Sequence, residues 1–329
     1  MIEVKQLNPN HADHISGYRQ EYLQKMFDEE AVVAQPKYDG ERMLIHIVGR
    51  QVFCTSRRFS KKTGQYTENQ DKLKFLQEAV AKIKYALDYT VLDCECYADT
   101  WSEAVGVLHS LPDRAEELLK TVNLRFAVFD CLFWEGKDLR DYPYYKRLVC
   151  AKDIVDELCL NNLHLVKFMN ADCEPASVKE AALIANEEQW QTCMNNAISA
   201  GFEGVVLKSL SRKYYDKAAS LKCKKFETVD VIVHSFQQGR GKYANTIGAL
   251  RVGYYDPSTD SIVHVSQVNC STDTERDFWR DNWNDLVGSV IEVKCQEVTE
   301  GSLRHPVYIR RRPDKNAKEC TKDTIFKEA

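Results

Sequence analysis

The sequence predicts an α+β protein of mainly antiparallel sheets over residues 1–227, followed by a small β-barrel over residues 228–329. Three observations predict it. Apolar residues recur at both helical and strand periods through the first two thirds of the chain. From about residue 227 the pattern becomes a series of short strands with one helix among them. The 329 residues are also enough for more than one core.

Taken in order, residues 11–27 carry Ile15, Tyr18, Tyr22, Leu23 and Met26 at helical spacing, with Asn10 placed to cap that helix. Residues 43–48 and 51–55 read as strands joined by a Gly49-Arg50 turn. Residues 71–87 read as an amphipathic helix through Leu73, Phe75, Leu76, Val80, Ile83 and Leu87. Strands follow at 90–97 and 124–133, helices at 144–160 and 186–200, and a strand at 203–208. Beyond the change of pattern, strands are expected at 229–236, 248–255, 261–268, 289–297 and 306–311. A helix at 274–286 repeats Phe278, Trp279, Trp283 and Leu286, with Thr272 or Asp273 as its cap. Five short strands with a helix between the third and fourth is the order of an OB-fold barrel, a frequent nucleic-acid binder. The hinge is expected near Phe226–Val229, where a run of charge ends.

Composition narrows the function classes. The hydrophobic share is 44%, ordinary for a folded domain. No apolar run reaches membrane-spanning length, and Met1 to Asn10 lacks a signal-peptide core, so no membrane partner and a cytoplasmic location are expected. The twelve cysteines are scattered and are read as reduced thiols. Cys94-Glu95-Cys96 would set two thiols on one strand face and Glu95 on the other. Net charge is −4, but base concentrates at Arg57-Arg58 with Lys61-Lys62, from Lys208 to Lys225, at Arg240 and Lys242, and from Arg304 to Lys318. Brought together, those segments would form a track for phosphates.

The segment Pro36-Lys37-Tyr38-Asp39-Gly40-Glu41-Arg42 places a lysine just before a turn-forming Asp-Gly. Lysine becomes a covalent nucleophile when desolvation or nearby cations remove its proton. Alone, the segment reads as a charged surface turn. Lys222 and Lys224 are two residues apart and share one face of a strand.

Lys37-Tyr38-Asp39-Gly40-Glu41-Arg42 resembles the nucleotide-accepting motif of the covalent nucleotidyltransferases, which include DNA ligases, RNA ligases and messenger-RNA capping enzymes. Further segments resemble that superfamily's other motifs, in its order. They are Ser56-Arg57-Arg58-Phe59, Leu92-Asp93-Cys94-Glu95, Phe126-Ala127-Val128-Phe129-Asp130, Glu203-Gly204-Val205-Val206-Leu207-Lys208 and Leu221-Lys222-Cys223-Lys224. Last comes Leu303 to Lys315, which looks like the C-terminal motif of DNA ligases. Departures are Cys94 where glycine is frequent, Ser220 for a large apolar residue, His305 for an aromatic, and Gln35 where some relatives carry glutamate.

The resemblance implies an ATP-grasp-like nucleotidyltransferase domain followed by an OB-fold, using ATP as AMP donor with magnesium, or manganese in its place. It implies that Lys37 takes the AMP, and that Lys222 and Lys224 lower its pKa and hold the α-phosphate. Glu203 supports the metal, and Glu95 touches the ribose or joins the metal site. Phe129 stacks on adenine and Gln35 lies near it. Arg42 and Arg57 hold the ribose or the 5′-phosphate of a nick. Arg304, Arg310 and Lys315, with Arg312 and Asp314 between them, orient the departing pyrophosphate. Arg42, Arg57, Arg58, Lys61, Lys208, Lys213, Arg240 and Lys242 are the expected DNA contacts.

Only 36 residues precede Lys37 and no zinc spacing is present, which favours ATP over NAD as the nucleotide. The implied activity is nick sealing in duplex DNA by a monomer. The alternatives are an RNA ligase, a GTP-dependent capping enzyme, or a non-catalytic OB-type binder that needs no reactive lysine.

Overall fold

The computed structural model describes residues 12–15, 18–60, 64–83, 85–169, 183–269, 272–299 and 301–326, the side chains of residues 57, 58 and 60 excepted. The chain divides into two compact units, Met1–Lys224 and Lys225–Ala329. In chain order the first contains β1 (Asp13–His14), α1 (Gln20–Glu29), β2 (Val32–Lys37), β3 (Glu41–Gly49), β4 (Gln51–Ser60), β5 (Gln65–Glu68), α2 (Lys74–Ala81), β6 (Leu87–Tyr97), α3 (Trp101–Leu108), α4 (Pro112–Leu118), β7 (Arg125–Trp134), β8 (Lys137–Asp138), α5 (Tyr144–Leu158), β9 (Leu163–Leu165), α6 (Glu187–Ser199), β10 (Gly204–Ser209) and β11 (Ser220–Lys224).

These strands make two sheets among the described residues. One runs β5-β4-β3-β6-β7-β8 with β9 beside β7, and the other runs β1-β11-β10-β2. Alternation explains the second sheet. Val32, Ala34, Val205, Leu207, Leu221 and Cys223 bury one face against Met26 and Phe27 of α1 and Cys193 and Ala197 of α6. Each large aliphatic side chain so buried contributes roughly 1.5–3 kcal/mol. The opposite face is left for Gln35, Lys37, Lys222 and Lys224. The larger sheet buries Met43, Ile45, Cys54, Leu92, Cys94 and Cys96 under α2 to α5. Cys94 and Cys96 thus point into the core while Glu95 points away.

The first expected helix is shorter and later than its spacing predicts: α1 starts at Gln20, and Asp13–His14 pair in parallel with Leu221 and Lys222 instead. Asn10 lies outside the described residues. The expected helix over 71–87 ends at Ala81, and Leu87 already begins β6. Helices α3 and α4 carried readable signals that the apolar spacing did not register. Thr100 and Glu103 form a capping box for α3, and Pro112 opens α4.

The second unit contains β12 (Glu227–Gln238), β13 (Ile247–Asp256), β14 (Ser261–Asn269), α7 (Asp273–Asp281), α8 (Trp283–Leu286), β15 (Val290–Cys295), β16 (Glu297–Thr299), β17 (Ser302–Arg304), β18 (Val307–Arg311) and α9 (Lys322–Ile325). Strands β12, β13, β14, β18 and β15 close into a barrel. Its interior holds Val231, Val233, Leu250, Val252, Val268, Ile291 and Val293, plugged by Trp279 and Leu286. The single helix expected at 274–286 is broken at Asn282 into α7 and α8. Thr272 caps α7 through a capping box with Glu275. Among the described residues no helix is long and apolar enough to cross a membrane.

Candidate active site

Strand β10 pairs on both sides, and this places the reactive side chains. Gly204 lies opposite Lys37 on β2 and Lys224 on β11. Val206 lies opposite Gln35 and Lys222. Side chains two apart on a strand share a face, so Gln35, Lys37, Lys222 and Lys224 all rise from one side of the sheet. Glycine is required at 204: its φ is +148°, and a β-carbon there would overlap the Cys223 carbonyl oxygen.

Glu203 sits in the bend just before β10, not on the strand itself. Its backbone N–H donates to the Lys37 carbonyl oxygen at 3.0 Å. Its carboxylate pairs with the Lys37 ammonium through one oxygen and with the Lys224 ammonium through the other. All three side chains are largely buried, at 20%, 8% and 17% exposure for Lys37, Glu203 and Lys224. One anion therefore holds two amines together. The chain then turns at Asp39-Gly40 into the larger sheet. A β-carbon at Gly40 would overlap the Cys96 carbonyl oxygen, so the Asp-Gly pair permits that close passage.

On the larger sheet, Glu95 is raised to about 7. Burial is the main cause; Lys37 and Arg42 oppose it, while Glu203 and Asp93 add to it. Arg42 makes a two-pronged contact with buried Asp93, with Nε 2.8 Å from Oδ1. Its guanidinium also donates to Tyr214 Oη at 3.0 Å and lies 5.1 Å from the centre of the Phe129 ring. The Tyr214 hydroxyl in turn donates to Asp93 at 2.7 Å. Beside Phe129, Asp130 is paired with Arg147 of α5 at 2.8 and 3.0 Å, both fully enclosed.

Lys208 corrects the expectation of a DNA contact. It is 7% exposed, with its ammonium 4.3 Å from the Tyr144 ring centre and 4.7 Å from that of Phe129. A group so enclosed has no open face for a DNA phosphate. Burial pushes its pKa down to about 8, against the pull of Asp130 and Asp93. Gln35 is also buried, its amide donating to Tyr144 Oη at 2.8 Å.

The remaining expected residues are dispersed. The side chains of Arg57 and Arg58, and all of Lys61, lie outside the described residues. Lys213 is exposed and 3.1 Å from Asp141. In the second unit Arg240 is exposed, and Lys242 lies 3.8 Å from Asp273 and over the Tyr243 ring. Arg304 faces Glu297, and Arg310 binds Glu292. Arg312 and Lys315 both hold Asp230, with Asp314 on the outer side of Arg312. Asp93, Asp130, Tyr144, Arg147 and Tyr214 were not singled out by spacing. The segments Leu92 to Glu95 and Phe126 to Asp130 were the signals pointing toward Asp93 and Asp130.

Comparison with known proteins accords with this geometry. The sequence model of the family described as the ATP dependent DNA ligase domain matches residues 12–226. A DNA ligase of Pyrobaculum neutrophilum is 29% identical over 250 residues, covering 72% of this chain and 39% of that protein. A DNA ligase 2 of Methanosarcina acetivorans is 25% identical over 329 residues, covering 91% of this chain and 54% of that protein. The chain thus spans about half or less of the length of these curated relatives. A solved structure from a structure-function study of Lig E DNA ligases shares the fold. It superposes with a TM-score of 0.61 at 16% identity, over 95% of this chain and 100% of that one. With more than half of its length matched by the family's own sequence model, the chain belongs to the ATP dependent DNA ligase domain family.

Proposed function

We propose that this chain is an ATP-dependent DNA ligase that seals nicks in duplex DNA through AMP bonded covalently to Lys37. The observation that carries the reading is the single Glu203 carboxylate gathering Lys37 and Lys224 on one sheet face. That carboxylate fixes both amines on the same face, and the amine of Lys37, once free of its proton, is the nucleophile. The Lys37 nitrogen attacks the α-phosphorus of ATP, loses its proton, and pyrophosphate leaves. Lys222 and Lys224 stabilise the charge that develops on the α-phosphoryl oxygens. Phe129 supplies a ring for the adenine to lie against. A 5′-phosphate oxygen of the nick then displaces Lys37 from phosphorus. The neighbouring 3′-hydroxyl finally displaces AMP and closes the strand.

Magnesium, or manganese in its place, neutralises phosphate charge when bound. Glu95 and Glu203 would hold such an ion: Glu203 adds to the burial that raises the Glu95 pKa, and a bound cation would offset both. Among the described residues no group of three or more His, Cys, Asp or Glu side chains forms a metal cage. That suits magnesium, which takes one or two carboxylates and fills its shell with phosphate and water. The barrel of the second unit fits the OB-fold in its strand pairing and in the helix between its third and fourth strands. Arg304, Arg310 and Lys315 keep the role of orienting pyrophosphate. Lys213, Arg240 and Lys242 are assigned to the DNA backbone of a nicked duplex, which a monomer would engage.

The test is retention of label. Incubated with α-labelled ATP and magnesium and then denatured, the protein keeps the label, and Lys37→Ala loses all of it. Lys37→Ala still seals a nick supplied with its 5′-phosphate already adenylated. A Lys37→Ala protein that labels at the normal rate removes the reading. Preferential labelling from GTP moves it toward capping.

A further inference from the structure

A glutamine is an ambiguous reader of a base edge, since a half-turn of its amide exchanges acceptor for donor. Here the neighbours make the choice. The Tyr144 hydroxyl donates to the Phe129 carbonyl oxygen at 2.8 Å. A carbonyl oxygen only accepts, so the one phenolic proton is committed to it. Burial pushes the Tyr144 phenol well above its usual range, so that proton stays in place. The phenolic oxygen therefore meets Gln35 as an acceptor, and the amide must turn Nε2 toward it, as it does at 2.8 Å. Oε1 is left directed elsewhere.

The phenol is held firmly. Tyr144 opens α5 and is 2% exposed. One turn later Arg147 grips Asp130, the residue after Phe129. Gln35 shares its sheet face with Lys37, two residues away, and with Lys222 across β10. The relay thus ties the orientation of one amide to the backbone of the ring on which a base would lie.

We propose that Tyr144 sets the purine selectivity of the nucleotide site by fixing the Gln35 amide with Oε1 toward the base. That oxygen accepts from the 6-amino group of adenine and opposes the 6-oxo group of guanine or hypoxanthine. The inference rests on the reading of Lys37 as the AMP acceptor. Tyr144 is a positioning residue, acting through Gln35.

The experiment compares self-labelling from ATP and from inosine triphosphate, which carries the 6-oxo group. The wild type prefers ATP by on the order of a hundredfold in kcat/KM, the scale at which a buried polar partner left unpaired is rejected. Tyr144→Phe frees the amide to turn, and the preference falls about tenfold, through improved use of inosine triphosphate. Adding Gln35→Glu to Tyr144→Phe restores the preference, because a carboxylate only accepts and needs no orienting partner. A purely structural loss would slow both nucleotides alike and would not be repaired. Gln35→Leu, with Tyr144 intact, loses the preference as well, and decides the matter if Tyr144→Phe does not fold. A wild-type preference in Tyr144→Phe or in Gln35→Leu overturns the proposal. A wild-type protein that labels from neither nucleotide removes the AMP-acceptor reading instead.

Discussion

Lys208 is a cation in a place that stability alone would not choose. It lies against two aromatic rings, and the two nearby carboxylates are each already matched by an arginine. Its folded pKa of about 8 lies below the ordinary 10.5. Between those two values the unfolded chain holds a proton that the folded chain releases, so stability rises with pH across that window. Below pH 8 the whole penalty is present. Lys208→Met is therefore expected to stabilise the protein at pH 7 by about 1–2 kcal/mol, net of lost cation–ring attraction. The gain should shrink toward pH 10. Denaturant unfolding at pH 7 and pH 9.5 checks this, and a variant less stable at pH 7 contradicts it. At this scale, legibility followed sequence distance. Lys37, Glu203, Lys222 and Lys224 stand in short segments that resemble the motifs of a known family, so they could be named. Tyr144, Arg147 and Tyr214 act on Gln35, Asp130 and Asp93 from far along the chain, and no local period marks such partners.

Strand β10 is the element on which the site depends, since it carries β2 on one edge and β11 on the other. Gly204→Ala would force a side chain into a positive φ and against the Cys223 carbonyl. The expected cost is about 3 kcal/mol or more. Parting the strands would also separate Lys37 from Lys224, so self-labelling should fall at least a hundredfold even where the variant remains folded by circular dichroism. Normal labelling by Gly204→Ala would show that the spacing of these strands is not critical. Strands β3, β4, β6, β7 and β10 were readable from the period of two, whereas β2, buried along nearly its whole length on both faces, shows no such alternation and was not among the expected strands. The first helix was misjudged because Asp13–His14 are held by a ladder to β11, which overrides local spacing. Helices α3 and α4 were missed although Thr100, Glu103 and Pro112 announced their starts. Too few apolar repeats accompany them.

The molecule as a whole has separate cores, among them those of the first unit built around Met43, Val33 and Val205 and the barrel interior of the second around Trp279. Trp279 is fully enclosed and meets Tyr308 edge-on at 5.0 Å. Trp279→Ala should destabilise the second unit by about 4 kcal/mol. Calorimetry should then show one transition lowered and the other unmoved; a single transition shifting as a whole would mean that the units melt together. The change of pattern near residue 227 was visible because barrel strands and a plugging helix differ in period. Net charge, at −4, said nothing of either unit's chemistry, since the cations that matter are paired locally with carboxylates. The double pairing of β10 also bears on how such a chain can diverge. Backbone register alone aligns the reactive amines, so most surrounding side chains can drift while polarity is kept. One residue inserted within Gly204–Ser209 would invert the parity of the strand's remainder. No later substitution in the surroundings could undo that; only a second change of length would.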